Sequence, residues 1–361
     1  MSNRSHSAPV ARAEQFANRL GVRVPILLAP MAGACPPSLS IAVANAGGLG
    51  ACGALMMRPD EIRSWSDEFR KGSQGAFQIN LWIPDPAPPR DFESERKERE
   101  FLAKWGPPVP PEAGDAKLPD FETQCKTLLD IAPEVVSSIM GIYPAAFVEE
   151  LKKRNILWFA NATTVPEAKA AEKAGADAVV AQGMEAGGHR GAFHAEDAEP
   201  QMVGLMSLLP QIVDAVSVPV IATGGIADGR GVAAALVLGA SAVQIGTGFL
   251  RCPEAKMHPA YADRLAHTEA HETMITCAFS GRPGRGAATA YVRAANAPNA
   301  PRPAPYPVQR GLTRAMRDEA QKVGDPDRMQ LWAGQSAKLA QDRPAGVVCQ
   351  HLWEEASRLL S

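Results

Sequence analysis

One histidine in this chain sits where core packing gives no reason for it. His189 lies in QGMEAGGHRGAF, residues 182–193, between Gly188 and Arg190. A stretch so rich in glycine forms neither a packed helix nor a packed strand. An imidazole placed there can donate or accept a hydrogen bond near neutral pH. A lone histidine is more often structural than catalytic. Its position at the end of an apolar run that reads as a barrel strand reverses that expectation. Arg190 reads as a charge that fixes the loop rather than as a reacting group.

Two other loops carry a second kind of chemistry. They are TGGIADGRG, residues 223–231, and QIGTGF, residues 244–249. Gly224 and Gly225 let the backbone approach a ligand closely, and Asp228 is placed to cap the helix that follows. Free N–H groups in such turns point at an anion. Tight turns would explain either loop alone. The two together, after the last two of eight strands, predict a phosphate site and so a phosphorylated cofactor or substrate.

Weaker signals lie nearby. In APMAGACP, residues 29–36, Met31 and the small residues after it offer a close-approach surface to something flat. Asn80, Gln182 and Gln244 are polar ends of otherwise apolar strands. Each alone is equally a satisfied core amide. Three at one barrel mouth suit the edge of a heterocycle with several donors and acceptors. Two motifs are set aside. Gly48-x-Gly50-x-x-Gly53 matches a dinucleotide fingerprint, but it follows a helix and is itself a strand. His267 and His271 are four apart on a predicted helix with no third ligand, so no metal is expected.

Positioning these loops requires a repeating scaffold, and the chain has one. Apolar runs at 25–30, 49–55, 77–82, 134–140, 156–163, 177–183, 218–225 and 242–249 alternate with helical patterns. Their nearly continuous Val, Ile, Leu and Ala content means burial on both faces, as in a parallel sheet covered by helices. Eight such units over about 225 residues predict an α/β fold, a (β/α)8 TIM barrel. Residues 1–255 form the barrel, with an insertion at 84–120 that is either a substrate loop or a solvated excursion. Residues 256–361 read as a smaller C-terminal helical domain over the mouth, with helical pieces at 258–278, 310–323, 327–341 and 347–360.

Composition narrows the function classes. The 361 residues are 46% hydrophobic and 21% charged, with a net charge of −2, so no basic excess points to nucleic acid or an anionic membrane. No apolar run approaches the roughly 20 residues that span a bilayer. The N-terminal stretch has no apolar core of signal-peptide length. Six scattered cysteines without a C-x-x-C pair suit reduced thiols in the cytoplasm.

At this point the motifs as a set matter more than any one of them. PILLAPMAG, NAGGLGACGA, GMEAGGHRG, ATGGIADGRGVAAALVLGASAVQIGTGFL, FSGRPGRG, APYPVQ and LWAGQ span nearly the whole chain. In these the chain resembles the class I nitronate monooxygenases. The resemblance implies FMN at the barrel mouth, held by positions matching Asn80, Gln182, Gly187, Gly225, Gln244, Ile245, Gly246 and Thr247, with Met31 near the flavin ring. Gly224 belongs to the same phosphate loop. It implies His189 as the active-site histidine, most helpful when protonated, and Tyr306 closing the substrate pocket. Such enzymes oxidise an alkyl nitronate, for example propionate 3-nitronate, with O2 to a carbonyl compound and nitrite or nitrate, a detoxification, without nicotinamide. A monomer or homodimer is expected, with small-molecule partners only.

The chain departs from that pattern in strand four, where VVSSIMG places Ser138 and Ile139 at positions that carry an aromatic residue and a histidine in many relatives. Two other readings stay open. One is an FMN-dependent enoyl-acyl-carrier-protein reductase using NADH, whose histidine loop usually lacks an arginine at the position of Arg190. The other is a flavin- or phosphate-binding barrel without turnover.

Overall fold

The computed structural model describes residues 8–361. The first seven residues of the stretch read above for a signal peptide lie outside the described residues. A first helix, α1 (Ala8–Arg19), precedes the repeat. The repeat runs β1 (Ile26–Leu28), α2 (Pro37–Asn45), β2 (Gly50–Gly53), α3 (Pro59–Gly72) and β3 (Phe77–Trp82). After α4 (Phe92–Leu102) in the insertion come α5 (Phe121–Ile131), β4 (Val135–Ile139), α6 (Ala145–Lys153), β5 (Leu157–Ala162), α7 (Val165–Lys173) and β6 (Ala178–Gln182). A two-residue strand, β7 (Gly188–His189), precedes α8 (Leu205–Ala215), β8 (Val220–Thr223), α9 (Gly229–Val237) and β9 (Ala242–Ile245).

All eight expected barrel strands form, in the parallel order β1-β9-β8-β6-β5-β4-β3-β2. The ring closes between β1 and the residue before β2, where Leu28 N donates to Leu49 O at 2.9 Å and Leu49 N to Ile26 O at 3.1 Å. The apolar runs end up buried on both faces, as their composition required. Helix starts follow local chemistry. Asp228 Oδ1 accepts from Gly231 N at 2.9 Å, capping α9 as its position predicted. Thr164 and Glu167 form a reciprocal capping box at α7. Underneath, Phe16 of α1 packs with Leu27, Leu49, Val135, Phe159, Val180 and Ile221, filling the N-terminal end of the barrel.

The rest of the chain differs from the helical reading. After α10 (Pro259–His267), β10 (Thr273–Thr276) and β11 (Gly284–Ala287) pair antiparallel, and β11 pairs with β7. The third expected helical piece, 327–341, is irregular apart from one short turn at Ala337–Leu339. Between them lie α11 (Ala290–Ala295), α12 (Val308–Leu312) and α13 (Arg314–Val323). The last helix, α14 (Ala345–Leu360), buries Val348, Cys349, Leu352 and Ala356 in the main barrel core. Glu355 caps α9 through Gly229 N at 2.9 Å, and Glu254 caps α14 through Ala345 N at 3.0 Å. A closed barrel leaves the outer face beside β9 and β1 bare, and α14 covers it. The expected boundary at 255/256 therefore does not follow the packing: α14 is barrel wall, and the post-barrel part of the cap ends before it, within residues 256–344.

The insertion is no solvated excursion. Leu102 and Val109 are buried together with Phe279, Tyr291, Val292, Val308, Leu312 and Met316. Insertion and post-barrel segment share this core, and a second cluster, with Tyr261, Leu265, Ala320, Met329 and Leu331, lies within the post-barrel segment and reaches the barrel at Leu250.

Candidate active site

A cavity of about 850 Å³ opens at the C-terminal ends of the strands, beneath the cap. That is within the roughly 300–1,000 Å³ of small-molecule sites. Met31, Asn80, Gln182, Gly187, His189, Gly224, Gly225, Gln244, Gly246 and Thr247 all line it. Two nominated residues do not. Ile245 is buried in the barrel core. Tyr306 stands outside the lining, its ring 5.2 Å from that of Trp82, with its hydroxyl buried and unpartnered.

His189 is held from three sides. Its backbone enters the small sheet through Gly284, and Gln182 Nε2 donates to its carbonyl at 3.1 Å. Gln182 Oε1 accepts from Gly191 N at 2.8 Å, so both ends of this amide brace the histidine loop. Arg190 is buried and donates to Gly183 O at 2.7 Å, which is the loop-fixing role read from the sequence. The imidazole lies between Trp82 and Trp332, with ring centroids 4.7 and 4.9 Å away and both contacts edge-on.

The ring's hydrogen bonding sets what it can offer. Nε2 lies 2.8 Å from Ser280 Oγ. Ser280 Oγ also lies 3.2 Å from the Arg282 carbonyl, which can only accept. A hydroxyl donating to that carbonyl receives Nε2–H and leaves Nδ1 an acceptor. A hydroxyl turned toward Nε2 leaves Nδ1–H a donor. Nδ1 has no partner among the described residues. Burial, then the positive charges of Arg310 and Arg282, push the imidazole down to about 3. The site at rest thus holds neutral histidine, not the protonated form expected to help most.

The two phosphate-type loops meet the cap. Gly224 and Gly225 have φ of +112° and +70°, the left-handed region that favours glycine. Ser336 Oγ donates to Gly225 O at 2.6 Å, and Gly334 N donates to Thr247 Oγ1 at 3.0 Å. A Cβ on Gly187 would stand 2.4 Å from Gly334 N, and one on Gly246 3.1 Å from Met31 Sδ. LWAGQS thus closes over both loops, and only glycines let the walls come so close.

The other amides are divided between wall and cavity. Asn80 Nδ2 donates to Ser137 Oγ at 3.1 Å, and Gln244 Oε1 accepts from Gln78 Nε2 at 3.1 Å. Asn161, not picked out from sequence, lines the cavity 7% exposed with its Nδ2 unpartnered. Arg310 was also missed. Its half-buried guanidinium lines the cavity and donates to nothing among the described residues. Ser280, Trp82 and Trp332 complete the residues that sequence reasoning passed over. They come from segments far from His189 in the chain: Ser280 and Trp332 lie in FSGRPGRG and LWAGQ, motifs of the resemblance to which no role was attached, and Trp82 ends an apolar strand run. Among the described residues no His, Cys, Asp or Glu group is arranged to hold a metal. His267 faces Asp263 on an exposed turn of α10, and His271 lies beyond that helix.

This geometry can be compared with known proteins. The family model described as nitronate monooxygenase matches residues 14–355. The chain belongs to the nitronate monooxygenase family. It is 35% identical over 348 residues to a probable nitronate monooxygenase of Staphylococcus aureus, covering 94% of this chain and 96% of the relative. The structure of nitroalkane oxidase from Streptomyces ansochromogenes is similar with a TM-score of 0.86 at 35% identity, covering 95% of this chain and 98% of that one. FabK from Thermotoga maritima is similar with a TM-score of 0.74 at 29% identity, covering 96% of each chain. Family membership makes the chain an oxidoreductase built on a TIM barrel. No described helix is long and apolar enough to cross a membrane.

Proposed function

We propose that the chain is an FMN-dependent nitronate monooxygenase that oxidises alkyl nitronates with O2 to carbonyl compounds and nitrite or nitrate. The carrying observation is that the open Nδ1 of His189 and the unpaired Arg310 line one cavity with the two glycine loops. The site residues fit a flat phosphorylated cofactor. Gly224, Gly225, Gly246 and Thr247 would hold its phosphate, and their glycines leave room a Cβ would fill. Met31, Asn80, Asn161 and Gln244 would meet its ring. FMN, when bound, supplies the electron acceptor and the centre that reacts with oxygen.

The chain's own part is binding and orientation. A nitronate arrives already deprotonated, so the neutral imidazole need not act as a strong base. With Ser280 donating to Nε2, Nδ1–H donates to a nitronate oxygen and fixes the reacting carbon. Arg310 balances the substrate's negative charge, including a carboxylate such as that of propionate 3-nitronate. Trp82 and Trp332 keep water from the imidazole, and the cap closes over the bound substrate. All six cysteines are free thiols, five of them buried, which suits a reducing cytoplasm.

The test compares O2 uptake with propionate 3-nitronate against NADH oxidation with an enoyl thioester, on protein assayed for bound FMN. Nitronate-dependent O2 uptake is expected. NADH oxidation with the thioester alone would establish the reductase reading instead. Colourless protein unable to take up FMN would overturn both.

A further inference from the structure

The insertion carries a carboxyl group with no evident reason to be buried. Glu98, on α4, is 2% exposed. Its hydrogen-bond partner is an amide rather than a cation: Gln309 Nε2 donates to Glu98 Oε1 at 2.6 Å. An apolar side chain would fill the same space at lower desolvation cost, so the carboxyl is doing something polar. Gln309 is fully buried and uses its whole amide. Nε2 also donates to Ala278 O at 2.8 Å, and Oε1 accepts from Ala304 N at 3.0 Å.

Gln309 matters because of the helix that carries it. The five residues of α12 are too few to hold a helix by themselves, so tertiary contacts place it. The insertion supplies two of these. One is the Glu98–Gln309 bond. The other is the seat of Gly311, where a Cβ would fall 2.0 Å from Ala113 O in the turn Pro111–Gly114. Between those two anchors lies Arg310, at the cavity wall. The same buried network reaches the histidine. Tyr291 Oη donates to Ala278 O at 2.9 Å and Thr313 Oγ1 to Phe279 O at 2.7 Å, and the next residue is Ser280.

We infer that Glu98 is a positioning residue that sets the place of Arg310, and so the affinity for an anionic substrate. The inference rests on the reading of Arg310 as the substrate's counter-charge. It does not depend on ionisation. Burial raises the Glu98 carboxyl to about 7, and Oε1 accepts a hydrogen bond whether the group is protonated or not.

The experiment is steady-state kinetics of the FMN-loaded enzyme with propionate 3-nitronate. Glu98→Leu is expected to raise KM about tenfold, the scale of one buried hydrogen bond lost, with kcat and flavin content nearly unchanged. Glu98→Gln keeps a carbonyl acceptor and is expected to keep the wild-type KM. Gly311→Ala lifts α12 from the insertion without touching the carboxyl, and is expected to raise KM likewise; it decides the matter should Glu98→Leu not fold. An unchanged KM in both, or parallel loss of kcat and flavin, overturns the inference. Arg310→Met separates the two layers. If it leaves KM unchanged, the counter-charge reading itself fails. If it raises KM while Glu98→Leu and Gly311→Ala do not, only the positioning role fails.

Discussion

Neutral His189 has consequences that can be measured. With nitronate supplied as substrate, kcat/KM is expected to show no ionisation near pH 6.5 from the free enzyme's histidine, because the folded imidazole titrates near 3. The same shift links to stability. The unfolded chain takes up a proton near pH 6.5 that the folded chain refuses, so His189's contribution is full above that pH and is lost as pH falls toward 3. His189→Asn should therefore flatten the acid limb of Tm against pH, and should lower turnover far more than FMN content. Equal loss of turnover and FMN would sink its catalytic role. Ser280→Ala removes the partner of Nε2 and is expected to cost about tenfold in kcat/KM with the flavin spectrum unchanged. His189 was legible in the sequence because a glycine loop cannot be core. Ser280 was not, because it lies 91 residues away and its motif FSGRPGRG says nothing about which side chain its serine meets.

The loops around the cavity are matched by contact rather than by strength. Gly225→Ala forces a side chain into φ +70°, at a cost of about 1–2 kcal/mol, and is expected to weaken FMN retention and lower Tm by a few degrees. Gly187→Ala is expected to do worse, since its methyl group would meet the Gly334 amide at 2.4 Å, a backbone atom that cannot swing aside. FMN titration and calorimetry of the two variants check this order. All eight barrel strands could be read from sequence because burial on both faces leaves a continuous apolar run. The small sheet could not. GRGA in β11 has no alternation, and β7 is two residues long. Residues 327–341 have helix-forming composition, yet their backbone is taken up by Gln335 N bonding to Glu185 O and Gly334 N bonding to Thr247. Tertiary partners overrode local preference there.

For the molecule as a whole, the barrel and its cap are interleaved rather than sequential. The chain makes most of the barrel, leaves it to build the cap, and returns as α14 to finish the wall. Removing residues 345–361 is therefore expected to abolish cooperative thermal unfolding and leave the apolar faces of α2 and α9 exposed to aggregation, whereas loss of a separate capping unit would spare the barrel. Sequence showed a helix at 347–360 but not where it went, since an apolar helical face does not name the surface it covers. This return also sets an order of events during synthesis. A nascent chain arrested at residue 344 carries every strand of the barrel and every residue lining the mouth, yet cannot close its wall. Commitment to the native state waits for the stretch through Leu360, so the barrel stays open to surveillance by chaperones and proteases until α14 has been made.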